Sequence, residues 1–168
     1  MMEHPAVLAL GSNLGDRELT LRQAVRDISA LRGVVLVAAS GIVETAAIKP
    51  DGVDPDAPTY LNAVVTIRTT LEPQALLAAI NAIEAEHGRV REIRWGDRTL
   101  DIDIISFGTL ELDSTELTIP HPRAADRAFV LAPWAQIEPH AIIVGRGRVA
   151  ELLAALHPPV DYPSEPLL

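Results

Sequence analysis

Two aspartates separated by one residue, Asp101 and Asp103, are the side chains of this chain best suited to chemistry. Polar and apolar residues alternate around them, so we expect a strand with both carboxylates on one face and Ile102 and Ile104 on the other. Side chains two apart on a strand lie about 7 Å from each other, which lets two carboxylates bracket one or two hard cations. The pair therefore predicts a Mg²⁺ site that could carry phosphates.

Cationic side chains crowd the ten residues before this strand. Residues 89–98 contain four arginines and two carboxylates, whereas the whole chain has a formal net charge of −9. Guanidinium groups match phosphate oxygens and stay charged, and Arg98 lies three residues before Asp101. A small cationic segment on an acidic chain suits a small anionic ligand better than nucleic acid or an anionic membrane. Since no P-loop motif is present, phosphates would be held by side chains and metal.

Aromatic and imidazole side chains are the next candidates, and each has an ordinary structural alternative. Trp95 lies in the polar arginine-rich segment, where it could pack on a ligand ring or act as a lid. His121 lies between two prolines and could donate a hydrogen bond to a phosphate, although a lone histidine is more often structural. Tyr60 and Phe129 are two of only six aromatic residues, and packing in the core is the ordinary role of such rings.

Hydrophobic spacing predicts the elements that must position these residues. Helical spacing indicates helices over residues 17–31 and from Pro73 to Gly88, and Asn81 and Glu84 share a face of the second, where solvated side chains are ordinary. The remaining predicted elements are strands at Ala6–Leu10, Val34–Val43, Tyr60–Ile67, Asp101–Ile105 and Leu117–Ile119, helices at Ala124–Gln136 and Val149–Leu156, and a turn cluster at Gly11–Asp16. The order β-α-β-β-α-β predicts an α+β, ferredoxin-like antiparallel sheet with helices packed on it.

Composition sets the broad class of the chain. Its 168 residues are enough for one domain with a core, and the 48% hydrophobic and 22% charged content is typical of a globular protein. There is no cysteine, hence no disulfide and no thiolate metal ligand. Neither a targeting segment nor a membrane span is visible, so we expect a cytoplasmic protein. We also expect a monomer. We expect a single domain over residues 1–168, with the proline-rich end after about residue 158 loosely held.

Two other classes are compatible with these residues taken alone. One is a different Mg²⁺-dependent nucleotide enzyme, such as a small sugar-nucleotide transferase that uses an Asp-x-Asp triplet, for which this chain is short. The other is a ferredoxin-like module that binds a metabolite without turnover, which would need no paired carboxylates. The fold does not decide among these classes.

Five motifs along the chain, taken together and in order, resemble the 6-hydroxymethyl-7,8-dihydropterin pyrophosphokinase family of folate biosynthesis. The resemblance runs from about residue 6 to about residue 157. The motifs are Gly11-Ser12-Asn13-Leu14-Gly15-Asp16, Tyr60-Leu61-Asn62-Ala63, Gly88-Arg89-Val90-Arg91, Arg94-Trp95-Gly96 with Arg98-Thr99-Leu100-Asp101-Ile102-Asp103, and Pro120-His121-Pro122 followed by Arg127-Ala128-Phe129.

The resemblance implies a role for each matching position. Asp101 and Asp103 would bind two Mg²⁺ ions that bridge the phosphates of ATP, and with Arg91 and Arg98 they form the implied catalytic set. The implied ATP-binding positions are Asn81, Glu84, Arg91, Arg98, His121 and Arg127. The implied pterin-binding positions are Thr45, Ile48, Tyr60, Asn62, Trp95 and Phe129, of which Tyr60 and Phe129 would sandwich the pterin.

The implied reaction is transfer of pyrophosphate from ATP to the hydroxymethyl group of the dihydropterin, with AMP as the other product. ATP and the pterin are then the small-molecule partners of the chain. Two positions depart from the usual family pattern, because Asp97 and Ala46 stand where proline is common. Both departures imply looser loops, and Asp97 adds a negative charge near the expected phosphates.

Overall fold

The computed structural model describes residues 2–46, 59–88 and 99–168, together with the backbone of residues 48–49 and 52–53. Among these residues the chain forms twelve strands, four α-helices and one 3₁₀ turn at Ala124–Asp126. The strands are β1 (His4–Ser12), β2 (Val34–Ala39), β3 (Ile42–Thr45), β4 (Ile48–Lys49), β5 (Gly52–Val53), β6 (Tyr60–Thr69), β7 (Asp101–Phe107), β8 (Leu112–Asp113), β9 (Thr118–Ile119), β10 (Ile142–Ile143), β11 (Gly147–Arg148) and β12 (Val160–Tyr162). The helices are α1 (Arg17–Ser29), α2 (Pro73–Glu86), α3 (Ala128–Ile137) and α4 (Val149–Ala154).

The main sheet is antiparallel and is built around β1 and β6. β1 pairs with β6 on one side and with β7 on the other. β6 pairs with both β2 and β3 along its length, and β12 pairs with β3, which gives the order β12-β3-β6-β1-β7. The structure confirms the predicted α+β fold with a ferredoxin-like antiparallel sheet.

Apolar side chains are buried on both faces of this sheet. On one face, Leu8 and Leu10 of β1 pack with Leu21 of α1 and Ile80 of α2 in the first core cluster. On the other face, Val7 belongs to a second core cluster with side chains of α3 and α4. β1 therefore reads as a continuous apolar strand, because neither of its faces is left to solvent over this length.

The strand predicted at Val34–Val43 is two strands, because the chain leaves the ladder at Ser40. The backbone N–H of Ser40 donates to the carbonyl oxygen of Val64 at 2.9 Å. The Ser40 hydroxyl accepts from the N–H of Val64 at 2.9 Å and donates to the carbonyl oxygen of Gly41 at 2.7 Å. A side chain thus takes over a backbone acceptor position, and β3 begins two residues later.

Two other predicted elements also differ in the structure. The helix expected from Ala124 starts at Ala128, preceded by the 3₁₀ turn. The end of the chain, expected to be loosely held, instead pairs β12 with β3, and Arg22 donates to the carbonyl oxygen of Pro166 at 2.9 Å. The tail finds partners because the edge of β3 offers backbone groups that the rest of the sheet leaves unpaired.

None of the helices in the described ranges combines the length and the apolar character that crossing a membrane requires.

Candidate active site

One face of the sheet carries a row of positions across three strands. Asn62 of β6 lies opposite Gly11 of β1, and Gly11 lies opposite Asp101 of β7. Directly opposed residues project from the same face of a sheet, so Asn62 and Asp101 share a face with one glycine between them. Since adjacent strands lie about 4.8 Å apart, the backbones of Asn62 and Asp101 are about 10 Å from each other.

Gly11 keeps the middle of this row open. A Cβ atom at this position would lie 2.9 Å from Oδ1 of Asn62 and 3.6 Å from Cδ1 of Tyr60. The first distance is shorter than real side chains tolerate, so glycine is needed here for close approach. The sequence predicts Gly11 in a turn, whereas β1 continues to Ser12. An isolated glycine at the end of an apolar strand is the signal that indicates this longer strand.

The alternation predicted for β7 is confirmed. Ile102 and Ile104 are each 3% exposed and belong to the first core cluster, whereas Asp101 and Asp103 are half-buried on the opposite face. Asp103 lies opposite Ala9 of β1, one step along the same face from the Asn62–Gly11–Asp101 row. Both carboxylates therefore project where small residues of β1 leave space.

Glu84 holds the outer edge of β7 between the two aspartates. Its side chain is 4% exposed, and Oε2 accepts a hydrogen bond from the backbone N–H of Ile102 at 2.8 Å. The ordinary expectation of a solvated side chain is therefore wrong for Glu84. Asn81, one turn earlier on α2, is partly exposed. The ATP-binding role implied for both residues stays a prediction.

His121 is attached to the same strand and lies in the field of Asp103. Its backbone N–H donates to the carbonyl oxygen of Ile105 at 2.9 Å. Burial lowers the pKa of His121, Asp103 opposes that shift, and Arg127 and Arg123 add to it. Nδ1 accepts from the backbone N–H of Arg123 at 3.1 Å, so the neutral ring carries its proton on Nε2. The neutral imidazole can therefore donate a hydrogen bond from Nε2.

Arg127 brings a cation to the two aspartates at the start of α3. Burial lowers the pKa of Arg127, whereas Asp103 and Asp101 raise it. Arginine stays charged under all ordinary conditions, so the group is a fixed positive charge beside two carboxylates. The guanidinium carbon also lies 5.6 Å from the centre of the Phe129 ring, a cation–π contact that places this half-buried ring beside the charged cluster.

The side of the row away from β7 is polar and aromatic. Thr45 of β3 lies opposite Tyr60 of β6, on the same sheet face as Asn62. Asn62 is 6% exposed, and its Nδ2 donates to Oγ1 of Thr45 at 3.1 Å. A buried amide fixed by one hydrogen bond has a defined orientation, which is what a site needs to recognise the edge of a polar ring.

Several predicted site residues lie outside the described residues. Arg91, Trp95, Asp97 and Arg98 are among them, and so is the side chain of Ile48. Their implied roles stay predictions. The described positions that were predicted from the sequence and that the structure brings to one region are Thr45, Tyr60, Asn62, Asp101, Asp103, His121, Arg127 and Phe129.

The donor set on β7 fits a magnesium ion that carries a phosphorylated ligand. Within the ranges that the structure describes, no group of three or more His, Cys, Asp or Glu side chains forms a complete metal cage. Mg²⁺ commonly takes one or two protein carboxylates and fills its octahedron with phosphate oxygens and water. Asp101 and Asp103, partly exposed beside Arg127, match that pattern.

Comparison with known proteins connects this geometry to one family. Residues 7–139 match the family model described as "7,8-dihydro-6-hydroxymethylpterin-pyrophosphokinase (HPPK)". Two bacterial proteins named "2-amino-4-hydroxy-6-hydroxymethyldihydropteridine pyrophosphokinase" are similar to this chain. The Bacillus subtilis protein is 46% identical over 136 residues, which cover 81% of this chain and 79% of that protein. The Methylorubrum extorquens protein is 42% identical over 153 residues, which cover 91% of this chain and 94% of that protein.

The fold is also similar to solved structures of longer proteins. A crystal structure described as HPPK-DHPS in complex with substrates superposes with a TM-score of 0.69 at 13% sequence identity and covers 92% of this chain. A Plasmodium falciparum HPPK-DHPS structure gives a TM-score of 0.70 at 15% identity. This chain spans 43% and 45% of those two chains, and at such identity the likeness concerns the fold alone.

Proposed function

Because this chain belongs to the 7,8-dihydro-6-hydroxymethylpterin-pyrophosphokinase family, we propose that the Asn62–Gly11–Asp101 row joins the two halves of its active site. The chain transfers pyrophosphate from ATP to the hydroxymethyl group of 6-hydroxymethyl-7,8-dihydropterin in folate biosynthesis. Such a transfer needs the pterin and the triphosphate side by side. A buried amide and a carboxylate suited to metal binding, on backbones about 10 Å apart and on one sheet face, would supply that arrangement.

The half of the site on β3 and β6 is proposed to bind the pterin. The amide of Asn62, oriented by Thr45, would form hydrogen bonds with the polar edge of the ring. The rings of Tyr60 and Phe129 would stack on its two faces, since both are partly exposed, Tyr60 lies next to Gly11 of the row, and Phe129 lies next to Arg127. Ile48, whose side chain is not described, and Trp95, which lies outside the described residues, complete this proposal as pocket and lid positions.

The half of the site on β7 is proposed to bind ATP with magnesium. Asp101 and Asp103 would hold two Mg²⁺ ions, which when bound neutralise charge on the phosphoryl oxygens. Arg127 supplies a fixed cation next to both carboxylates, and Nε2–H of His121 supplies a donor for a phosphate oxygen. Arg91 and Arg98 are proposed as further phosphate-binding cations. Asn81 and Glu84 are proposed on the nucleotide side of the site.

The contribution of the protein to the reaction is mostly position and charge. The hydroxymethyl oxygen of the pterin attacks the β-phosphorus of ATP and loses its proton to water. A new O–P bond forms, the bond from the β-phosphorus to the α,β-bridging oxygen breaks, and AMP leaves with that oxygen. The sheet holds the two reactants on one face, which converts a bimolecular encounter into a reaction between neighbours. The cationic side chains balance charge that moves from the β-phosphorus to the departing AMP.

The two halves can be tested separately by single substitutions. Asp103→Asn should lower kcat by about 100-fold or more while the dissociation constant of the pterin changes less than about twofold. Asn62→Ala should weaken pterin binding by about tenfold or more and leave ATP binding within about twofold, because both the pterin edge and Thr45, which lose a hydrogen-bond partner, belong to the pterin half.

Isothermal titration with each ligand and steady-state assays that score AMP measure these effects. Asp113→Asn, at an exposed position on β8, is the matched control and should behave as wild type. Wild-type turnover in Asp103→Asn would reject the metal-binding assignment. Equal losses of ATP and pterin affinity in Asn62→Ala would reject the division into two halves.

We also propose that the chain is active as a monomer in the cytoplasm, where both substrates are small diffusible molecules. Sedimentation at assay concentrations tests this point, and a stable dimer would contradict it.

A further inference from the structure

A cluster of three residues adjoins the proposed pterin half without contributing to it. Arg17, the first residue of α1, donates from Nη1 to the carbonyl oxygen of Thr59 at 2.9 Å and to its hydroxyl at 2.6 Å. The same Nη1 lies 3.4 Å from Oε2 of Glu44. The Thr59 hydroxyl in turn donates to Oε2 of Glu44 at 2.6 Å. Each member therefore contacts the other two.

This cluster lies at the end of the β3–β6 pair, on the sheet face opposite to the proposed pterin residues. Glu44 directly precedes Thr45, and Thr59 directly precedes Tyr60. Because side chains alternate along strands and Thr45 lies opposite Tyr60, Glu44 projects from the sheet face opposite to these two. Arg17 thus connects α1 to both strands at the positions next to the proposed pterin residues.

We infer that Arg17 is a positioning residue for pterin binding, and this inference rests on the proposed function of Thr45 and Tyr60. Its guanidinium holds Glu44 of β3 and Thr59, the residue that precedes β6, in one register. That register sets the separation of Thr45 from Tyr60 and maintains the hydrogen bond by which Thr45 orients Asn62. Misplacement of such groups by an ångström is enough to cost a large part of binding or rate.

The exposure of Arg17 and Glu44 indicates which property of the protein should change when the cluster is removed. The side chains of Arg17 and Glu44 are 25% and 35% exposed, and ion pairs this close to solvent contribute little to the free energy of unfolding. The main effect of removing the guanidinium is therefore expected on local geometry, and hence on pterin binding.

The same helix provides a matched control. Arg22 is 24% exposed and forms an ion pair with Glu18 at 3.0 Å. It also binds the carbonyl oxygen of Pro166, and none of its described contacts is to β3 or to the start of β6. Arg17→Met and Arg22→Met each remove one partly buried guanidinium and one ion pair from α1, but only the first reaches the β3–β6 pair.

The first measurement is the KM for each substrate. Arg17→Met should raise the KM for 6-hydroxymethyl-7,8-dihydropterin about tenfold and leave the KM for ATP within about twofold. Arg22→Met should leave the KM values for both substrates within about twofold of wild type. Arg17→Lys should recover part of the loss, because an ammonium can replace some of the hydrogen bonds to Thr59. An unchanged pterin KM in Arg17→Met, or an equal rise in both KM values, overturns the inference.

The second measurement is amide hydrogen exchange of the unliganded protein, which does not depend on the pterin assignment. Arg17→Met should lower protection at residues 43–45 and 60–62, and Arg22→Met should not. Unchanged protection overturns the inference while the proposed function stands. Lost protection with an unchanged pterin KM also overturns it, and if Asn62→Ala then binds pterin normally, the proposed pterin half fails as well.

Discussion

Gly11 decides how close the two halves of the proposed site can come. We expect Gly11→Ala to weaken pterin binding by about tenfold or more, because the added Cβ would lie 2.9 Å from Oδ1 of Asn62. Asn62 cannot move away freely, since it is 6% exposed and bonded to Thr45. Titration of the variant with pterin, in the presence of a nonhydrolysable ATP analogue, measures the effect.

Gly41→Ala is the control for this substitution, because its added Cβ would lie 3.4 Å from the flexible end of the Gln136 side chain. It should bind pterin as wild type does. Wild-type affinity in Gly11→Ala would contradict the view that glycine keeps the row open.

Some single residues could be predicted from the sequence and others could not. The alternation at Asp101 and Asp103 is a local property of a strand, so it was predictable and is confirmed. The burial of Glu84 depends on α2 lying against the edge of β7, a contact between residues 18 apart in sequence. The spacing of residues along α2 does not indicate that the edge of β7 lies beside Glu84.

At the scale of elements, the hydrogen bond from the edge of β7 to α2 yields a prediction for Glu84. Glu84→Met keeps the volume but leaves the N–H of Ile102 without this acceptor, so the free energy of unfolding should fall by about 1–3 kcal/mol. The strand that carries Asp101 and Asp103 should also be held less firmly, which should raise the Mg²⁺ concentration for half-maximal activity. Urea denaturation and a Mg²⁺ titration of activity measure the two effects.

Glu84→Gln separates this role from nucleotide binding, because the amide oxygen can still accept from Ile102. If Glu84 acts by positioning the edge of β7, Glu84→Gln should retain most of the free energy of unfolding and most of the Mg²⁺ dependence of activity. If Glu84→Gln loses as much stability and Mg²⁺ response as Glu84→Met, the hydrogen bond to β7 does not explain the role of Glu84. A raised KM for ATP in Glu84→Gln alone would favour the nucleotide contact implied by the family resemblance.

The order of elements was largely predictable, whereas their interruptions were not. Apolar spacing predicts β1, α1, β6, α2 and β7 in order because each buries a repeating face in the first core cluster. The break after β2 arises because the Ser40 hydroxyl bonds with Val64, 24 residues away. The apolar pattern does not predict the start of α3 either. That pattern begins at Ala124 and Ala125, which are both buried but lie in the 3₁₀ turn before the helix.

The whole molecule is completed by a tail whose role no local pattern indicates. The segment after His157 is rich in proline and polar residues, which resembles an unattached end. Its β12 nevertheless extends the sheet beyond β3, and Tyr162 and Leu167 pack against the first core cluster. The sheet edge that accepts the tail is formed by residues more than a hundred positions earlier in the chain.

Truncation after His157 should therefore lower the free energy of unfolding by about 2 kcal/mol, since Tyr162 and Leu167 are only partly buried and each contributes a fraction of a full core side chain. Because β12 pairs with the strand that ends at Thr45, pterin affinity should fall more than ATP affinity. Urea denaturation and titration with each ligand measure these changes. Deletion of Leu168 alone, which is 68% exposed, should change neither. An unchanged urea midpoint after the longer truncation would mean that the tail does not contribute to the stability of the sheet.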